Sequence, residues 1–235
     1  MGKHSEHGHR GAVSGHDGAV RDGQPARVDV RAVTVTYGEV TALHAVSLVA
    51  APGEFVAITG HSGAGKTTLI NAIGGIVPLA SGAIDLGRGS GHSLDPSAVA
   101  IIPQGNGLAS VLTAYENVLA PLRARGHDPK DAAARATQAL VSVGLGESGT
   151  HLVEELSGGQ QQRAAVARGL AIGARVLLAD EPTSELDHDN RERVLDLMRA
   201  QADAGAIVIM TTHDPEAAAR ADRVIELDDG EVVQH

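Results

Sequence analysis

The sequence predicts an α/β fold with a mostly parallel sheet covered by helices on both faces. Three observations carry this. Short apolar runs rich in Val, Ile and Leu alternate with helix signals, which is the pattern of a parallel sheet buried on both sides. The run Phe55–Ile58 passes directly into a Gly-rich loop and then into the apolar stretch Leu69–Ile76, a strand–loop–helix unit. An apolar fraction of 43% over 235 residues suffices for one large core, or a core with a small appended subdomain.

In chain order, residues 1–25 are rich in Gly and His with no hydrophobic period, and read as a disordered tail. His4, His7, His9 and His16 offer imidazoles to a divalent metal only transiently there, because nothing fixes their geometry. The folded domain is expected over residues 26–235. Arg27–Thr36 alternates apolar and polar residues, as a half-buried strand does. Gly38-Glu39 makes a turn, Leu43–Ala50 a second strand, Pro52-Gly53 another turn, and Glu54–Thr59 the strand that enters the Gly-rich loop. Two antiparallel strands ahead of that loop form an N-terminal β subdomain beside the core. Residues from about 105 to 157 differ in character and read as a helical subdomain. Within it Asp128 as N-cap, Pro129 at the first helical position and Gly144 after the end bracket one helix, with Ala133, Ala136, Leu140 and Val143 as its buried stripe. The core resumes with a helix from Gly158, a strand at Val176–Ala179, a helix near Asp189–Ala204 and a strand at Ala206–Thr211. Asp214-Pro215 starts a short helix, and Arg223–Leu227 and Glu231–Val233 form a hairpin about Asp228-Asp229-Gly230.

Composition narrows the function. The formal charge of −10 argues against nonspecific binding to nucleic acid or anionic lipid. No apolar stretch approaches the ~18 residues of a bilayer span, and the N-terminus lacks a signal-peptide pattern. The absence of Cys excludes disulfides and thiolate metal sites. These features suit a soluble cytoplasmic protein that reaches a membrane only through a partner. Aromatics are confined to Tyr37, Phe55 and Tyr115, so the core must be aliphatic.

The loop Gly60-His61-Ser62-Gly63-Ala64-Gly65-Lys66-Thr67 has the form G-x-x-x-x-G-K-T, followed by Thr68. Its glycines let backbone N–H groups turn inward on a phosphate chain. Lys66 reaches the β and γ phosphates as a compact point charge, and the Thr67 hydroxyl suits Mg²⁺. The helix start behind the loop adds partial positive charge. A second element, Val176–Ala179 running into Asp180-Glu181, puts two acids at the C-terminal edge of a buried strand, where parallel sheets bind ligands. There Asp180 serves the Mg²⁺ shell and Glu181 the attacking water. The third, Leu156-Ser157-Gly158-Gly159-Gln160, contains an S-x-x-Q capping box. A cap explains Ser157 and Gln160 but not two glycines, which weaken a helix start unless something lies against the bare backbone.

With these elements the chain resembles the ATP-binding cassette (ABC) ATPases, of which LSGGQ is the signature, over about residues 27–235. The resemblance implies a P-loop NTPase core and assigns further residues. Tyr37 falls where the family stacks an aromatic on adenine. Gln104, in Ile-Ile-Pro-Gln, matches the glutamine that senses Mg²⁺ and the γ-phosphate. Ser184–Asp187 matches the loop that crosses to a partner subunit, and His213 the switch histidine. It implies a head-to-tail dimer in which Ser157, Gly158, Gly159 and Gln160 of one subunit close on the ATP held by the other, with Mg²⁺ on Thr67, Gln104 and Asp180. It further implies a separate membrane permease, whose coupling helix docks near Gln104 and the helical insertion, so that the cassette lies at the inner face of the cell membrane. Local wording (Leu112–Val118, LSGGQQQR, Ala179–Thr183, Ala221–Ile225) is similar to the lipoprotein-release and macrolide-export subfamily, which points to export or mechanotransmission. Glu185 departs from the small or amide residue usual at its place, and predicts weaker closure and slow basal turnover. The stretch from Gly82 to Gln104 is short for that subfamily. An ATP-dependent regulator of a cell-envelope enzyme would carry the same cassette. A DNA-maintenance ATPase would need a long coiled coil between phosphate loop and signature, and Lys66 and Leu156 are too close in sequence to hold one.

Overall fold

The computed structural model describes residues 27–87 and 98–233; the histidine-rich tail expected over residues 1–25 lies outside them. Two sheets are present among the described residues. The smaller is antiparallel, in the order β2-β1-β4, built from β1 (Val28–Tyr37), β2 (Val40–Ala50) and β4 (Ser81–Asp85). The larger has the order β5-β6-β7-β3-β8-β9, from β3 (Phe55–Thr59), β5 (Val99–Ile102), β6 (Val176–Asp180), β7 (Ile207–Thr211), β8 (Arg223–Asp228) and β9 (Glu231–Val233). Its pairs are parallel except β8 with β9, which is the expected hairpin.

Alternation along each central strand divides the interior in two, because successive side chains point to opposite faces. On one face Phe55, Ala57, Ala100, Ile102, Leu177, Ala179, Val208 and Met210 pack against helices. On the other Val56, Ile58, Val99, Val176, Leu178, Ile207, Ile209 and Ile225 pack against α1 (Lys66–Ile73) and the antiparallel sheet. The helical face belongs to α2 (Ala114–Ala124), α3 (Pro129–Ser142), α4 (Gly158–Ala171) and α5 (His188–Asp203); α6 (Pro215–Ala218) is one turn long. Alanine dominates the buried sides of α3 and α4 (Ala132, Ala136, Ala164, Ala165, Ala167), so those helices approach closely without aromatic filler.

Expected elements recur with small shifts. The helix after the loop stops at Ile73 instead of continuing to Ile76, because Gly74-Gly75 follows and Gly75 takes a left-handed φ of 71°. On α3 Ala136, Leu140 and Val143 are buried as expected, while Ala132 is buried and Ala133 only half-buried. Strands β4 and β5 have no counterpart in the sequence reading, and helix α2 lies inside the stretch expected to be helical, where no bounds were set for it. Helix α2 starts at a full capping box: the Thr113 hydroxyl accepts from the Glu116 N–H at 3.1 Å, and the Glu116 carboxylate accepts from the Thr113 N–H at 2.8 Å.

Candidate nucleotide-binding site

Strands β5, β6, β7 and β3 are neighbours and parallel, so their C-terminal ends meet on one edge. Gln104 follows β5. Asp180 ends β6 and Glu181 succeeds it. His213 follows β7, and the 60–67 loop follows β3. These residues line one cleft of about 620 Å³, with Ala42, Thr68 and Ser184 also at its wall.

The loop is held by close backbone approach. A Cβ on Gly60 would fall 2.1 Å from the Leu227 carbonyl oxygen, and one on Gly65 would fall 2.7 Å from that of Ala42. Both glycines also have positive φ, 146° and 98°. The Gly230 N–H donates to the Ala64 carbonyl at 3.0 Å, which fastens the loop to the β8–β9 turn. Helix α1 begins without a side-chain cap, so its first N–H groups stay available at the cleft. Lys66 is buried, and its ammonium donates to the carbonyls of Gly60 (2.7 Å) and His61 (3.0 Å).

Asp180 is 2% exposed and is fixed from two sides. The Thr67 hydroxyl donates to one carboxylate oxygen at 2.7 Å, and the Thr211 hydroxyl to the other at 2.5 Å. Thr211 Oγ1 also accepts from the Glu181 N–H at 3.0 Å. Glu181 itself has φ of 50°, a strained value for a non-glycine residue. That turn brings its Oε2 to 3.0 Å from Nδ1 of His213. The oxygen donors of Thr67 and Asp180, with Gln104 on the same wall, match the preference of a hard divalent cation.

His61 also lines the cleft, and its ring reaches the β8–β9 turn. Its Nδ1 lies 2.7 Å from the Ser62 carbonyl, which can only accept, so Nδ1 carries a proton. Its Nε2 lies 3.0 Å from Asp228 and 3.4 Å from Asp229. The Ser62 carbonyl first, and then the two carboxylates, hold its pKa above the ordinary 6.5.

The signature residues stand apart from their own chain's cleft. Ser157 caps α4 reciprocally with Gln160: Ser157 N–H to Gln160 Oε1 at 2.9 Å, and Gln160 N–H to Ser157 Oγ at 3.3 Å. Two residues further, buried Gln162 donates to the Glu181 carbonyl (2.8 Å) and accepts from the Glu185 N–H (2.8 Å), coupling α4 to the turn after β6. Tyr37 ends β1 with 49% of its surface exposed and does not line the cleft. On the helical side the Arg168 guanidinium donates to the carbonyls of Asn106 (2.8 Å) and Gly107 (2.5 Å), anchoring the stretch after Gln104 to α4. Burial holds the Arg168 pKa below its ordinary range.

Sequence reasoning assigned no part to Thr211, Gln162 or Asp228. For Gln162 the signal was available, as a polar side chain on the buried face of an otherwise alanine-rich helix. For Thr211 and Asp228 none was, since their partners lie on other strands.

The family profile described as ABC transporter matches residues 43–184. An ABC transporter ATP-binding protein of Mycobacterium tuberculosis is 44% identical over 190 residues, covering 77% of this chain and 58% of the relative. The macrolide export ATP-binding/permease protein MacB of Azoarcus sp. is 41% identical over 203 residues, covering 83% of this chain and 31% of the relative. The chain thus spans about three fifths of the mycobacterial relative and about a third of MacB. Among solved structures, the dimeric post-hydrolysis state of the ATP-binding cassette MJ0796 bound to ADP and Pi superposes with a TM-score of 0.81 at 34% identity, covering 88% of this chain and 97% of that one.

Proposed function

The chain belongs to the ABC transporter family, and on that footing we propose that it is the ATP-hydrolysing cassette of an exporter or mechanotransmitter, working on a membrane permease. Residues 26–235 are assigned to one ABC ATPase domain, with a helical subdomain over about residues 105–157. The observation that carries the ATPase reading is the joint at the strand ends: Thr67 and Thr211 share the Asp180 carboxylate, and Glu181 and His213 meet at 3.0 Å beside it. A P-loop hydroxyl bonded to a buried acid, with a second acid one residue on, is what in-line phosphoryl transfer to water requires.

In this reading the N–H groups of Gly60–Thr68 and the Lys66 ammonium bind the phosphates, and Tyr37 stacks on adenine. Thr67, Asp180 and Gln104 are suited to hold Mg²⁺, which when bound neutralises charge on the phosphate oxygens. The Glu181 carboxylate orients water in line with the γ-phosphate, and His213 fixes that carboxylate while facing the transferred group. Lys66 stabilises the charge that develops on the equatorial oxygens. Ser157, Gly158, Gly159 and Gln160 act on ATP held by a second cassette, which the dimeric state of the MJ0796 neighbour supports. The permease is supported by the ATP-binding/permease relatives, and the groove beside Gly107, Ala109 and Pro121 is a suitable seat for its coupling segment. No described helix is long and apolar enough to cross a membrane. In this reading the cassette sits on the cytoplasmic face through that permease, which the ATP-binding/permease relatives support. The MacB likeness favours export over a regulator of cell-envelope enzymes.

The test is Glu181→Gln with Mg-ATP, followed by size-exclusion chromatography and phosphate release. The variant should bind ATP, accumulate as a dimer and turn over at least about a hundredfold more slowly, the scale of losing a positioned base. Turnover equal to the parent would remove Glu181 from the mechanism.

A further inference from the structure

The two glycines that open α4 already face an anion inside their own chain. The Ser184–Asp187 turn folds back over the start of α4. A Cβ on Gly158 would fall 2.7 Å from the Glu185 carboxylate oxygen Oε2, and one on Gly159 would fall 3.1 Å from the Glu185 carbonyl. The turn is not free to drift. The Glu185 N–H is held by Gln162, which is 3% exposed and is itself fixed by the Glu181 carbonyl. The first turn of α4 contains no acid of its own. What the carboxylate meets is the positive end of a 14-residue helix.

We propose that Glu185 is an intramolecular stand-in for the γ-phosphate: in the free subunit its carboxylate lies over the start of α4, and closure on a partner requires the partner's phosphate to displace it. This rests on the cassette reading above, since only there does α4 receive a phosphate from a second chain. It extends that reading by making the free subunit self-shielded. The signature then has two successive anions. One is covalently tethered through Glu185; the other arrives with ATP. Gln162 joins the backbone of Glu185 to the backbone carbonyl of Glu181, so a shift of the Glu185 turn reaches the backbone of Glu181 through one side chain.

Two measurements test this. In a Glu181→Gln background, Glu185→Gln and Glu185→Ala should each lower the protein concentration for half-maximal Mg-ATP-dependent dimerisation by about tenfold, read by sedimentation. Each helix start contributes roughly a two- to fivefold charge preference, and a symmetric dimer has two. The near-isosteric Gln variant must match Ala, because the claim concerns charge. In the nucleotide-free subunit, the Gly158 and Gly159 amide protons should exchange about threefold faster in Glu185→Gln, since a nearby carboxylate suppresses attack by hydroxide. Unchanged exchange, or a parent that dimerises while both variants do so no more tightly, overturns the proposal. A Glu181→Gln parent that never dimerises with ATP overturns the cassette reading and the displacement step together, and the exchange rates then judge the contact by themselves.

Discussion

Lys66 makes its two hydrogen bonds to loop carbonyls, not to a carboxylate, so among the described residues its charge has no anionic partner and is available to phosphate. Lys66→Ala should weaken ATP binding by about 10- to 100-fold, the scale of one or two charge-assisted hydrogen bonds, as read by nucleotide titration. His61 lies in the same loop yet serves another purpose, bracing it against the β8–β9 turn. Because its folded pKa is raised, this brace contributes fully below the unfolded value of 6.5 and is lost as pH rises through the higher folded value. Asp228→Asn should therefore lower the His61 titration midpoint in proton NMR. The thermal-stability gap between parent and variant should be widest at acid pH and should close above neutrality. Of the residues at this scale, those within one motif were legible in the sequence. Thr211 and Asp228 were not, because their contacts join strands far apart in the chain.

The phosphate loop and the helix caps decide matters at the level of elements. Gly60 has a backbone carbonyl where a side chain would begin, and its φ of 146° is open only to glycine. Gly60→Ala must push the loop off β8, and should lose ATP binding and lower the unfolding temperature together, in calorimetry with and without nucleotide. Thr113→Ala removes one half of the α2 capping box and should cost about 1 kcal/mol, seen as a lower urea midpoint with an unchanged slope. Caps and turns were readable because they are local: Asp128-Pro129 and Asp214-Pro215 begin helices as expected. Helix α2, inside the stretch expected to be helical, carries Pro121 within it. It is tolerated there because burial of Val118 and Leu122 against the core outweighs one lost hydrogen bond. Strand β4 escaped notice because its residues are mostly exposed or half-buried and carry no alternation.

For the whole molecule, the parallel sheet is the device that brings distant motifs to one edge. Phe55 is the only Phe in the chain, fully buried on the helical face, with the Arg199 guanidinium 5.9 Å from its ring centre. In a core otherwise built of small aliphatic side chains, no neighbour is large enough to fill its space. Phe55→Ala should cost about 3–5 kcal/mol in urea unfolding. Ser157–Gln160 lie apart from the cleft of their own chain, and on the proposed reading one subunit then offers two half-sites. Specific ATPase activity should therefore rise with protein concentration and approach a plateau, and a flat profile would count against hydrolysis by a dimer.

The sequence by itself determined the parts: the phosphate loop, the strand ending in Asp180-Glu181, the signature with its capping box, and most strand and helix identities. Each of these depends on residues adjacent or a few positions apart, so its physics is contained in the local text. Only the tertiary structure decided what meets what. The order β5-β6-β7-β3 inserts β7 between the two nucleotide-binding strands, and that places Thr211 to bridge Asp180 and Glu181 and His213 to meet Glu181. The same packing turns Glu185 onto Gly158 and His61 onto Asp228. Such contacts are set by strand order and by the burial of two opposed faces, and no period or motif along the chain encodes them.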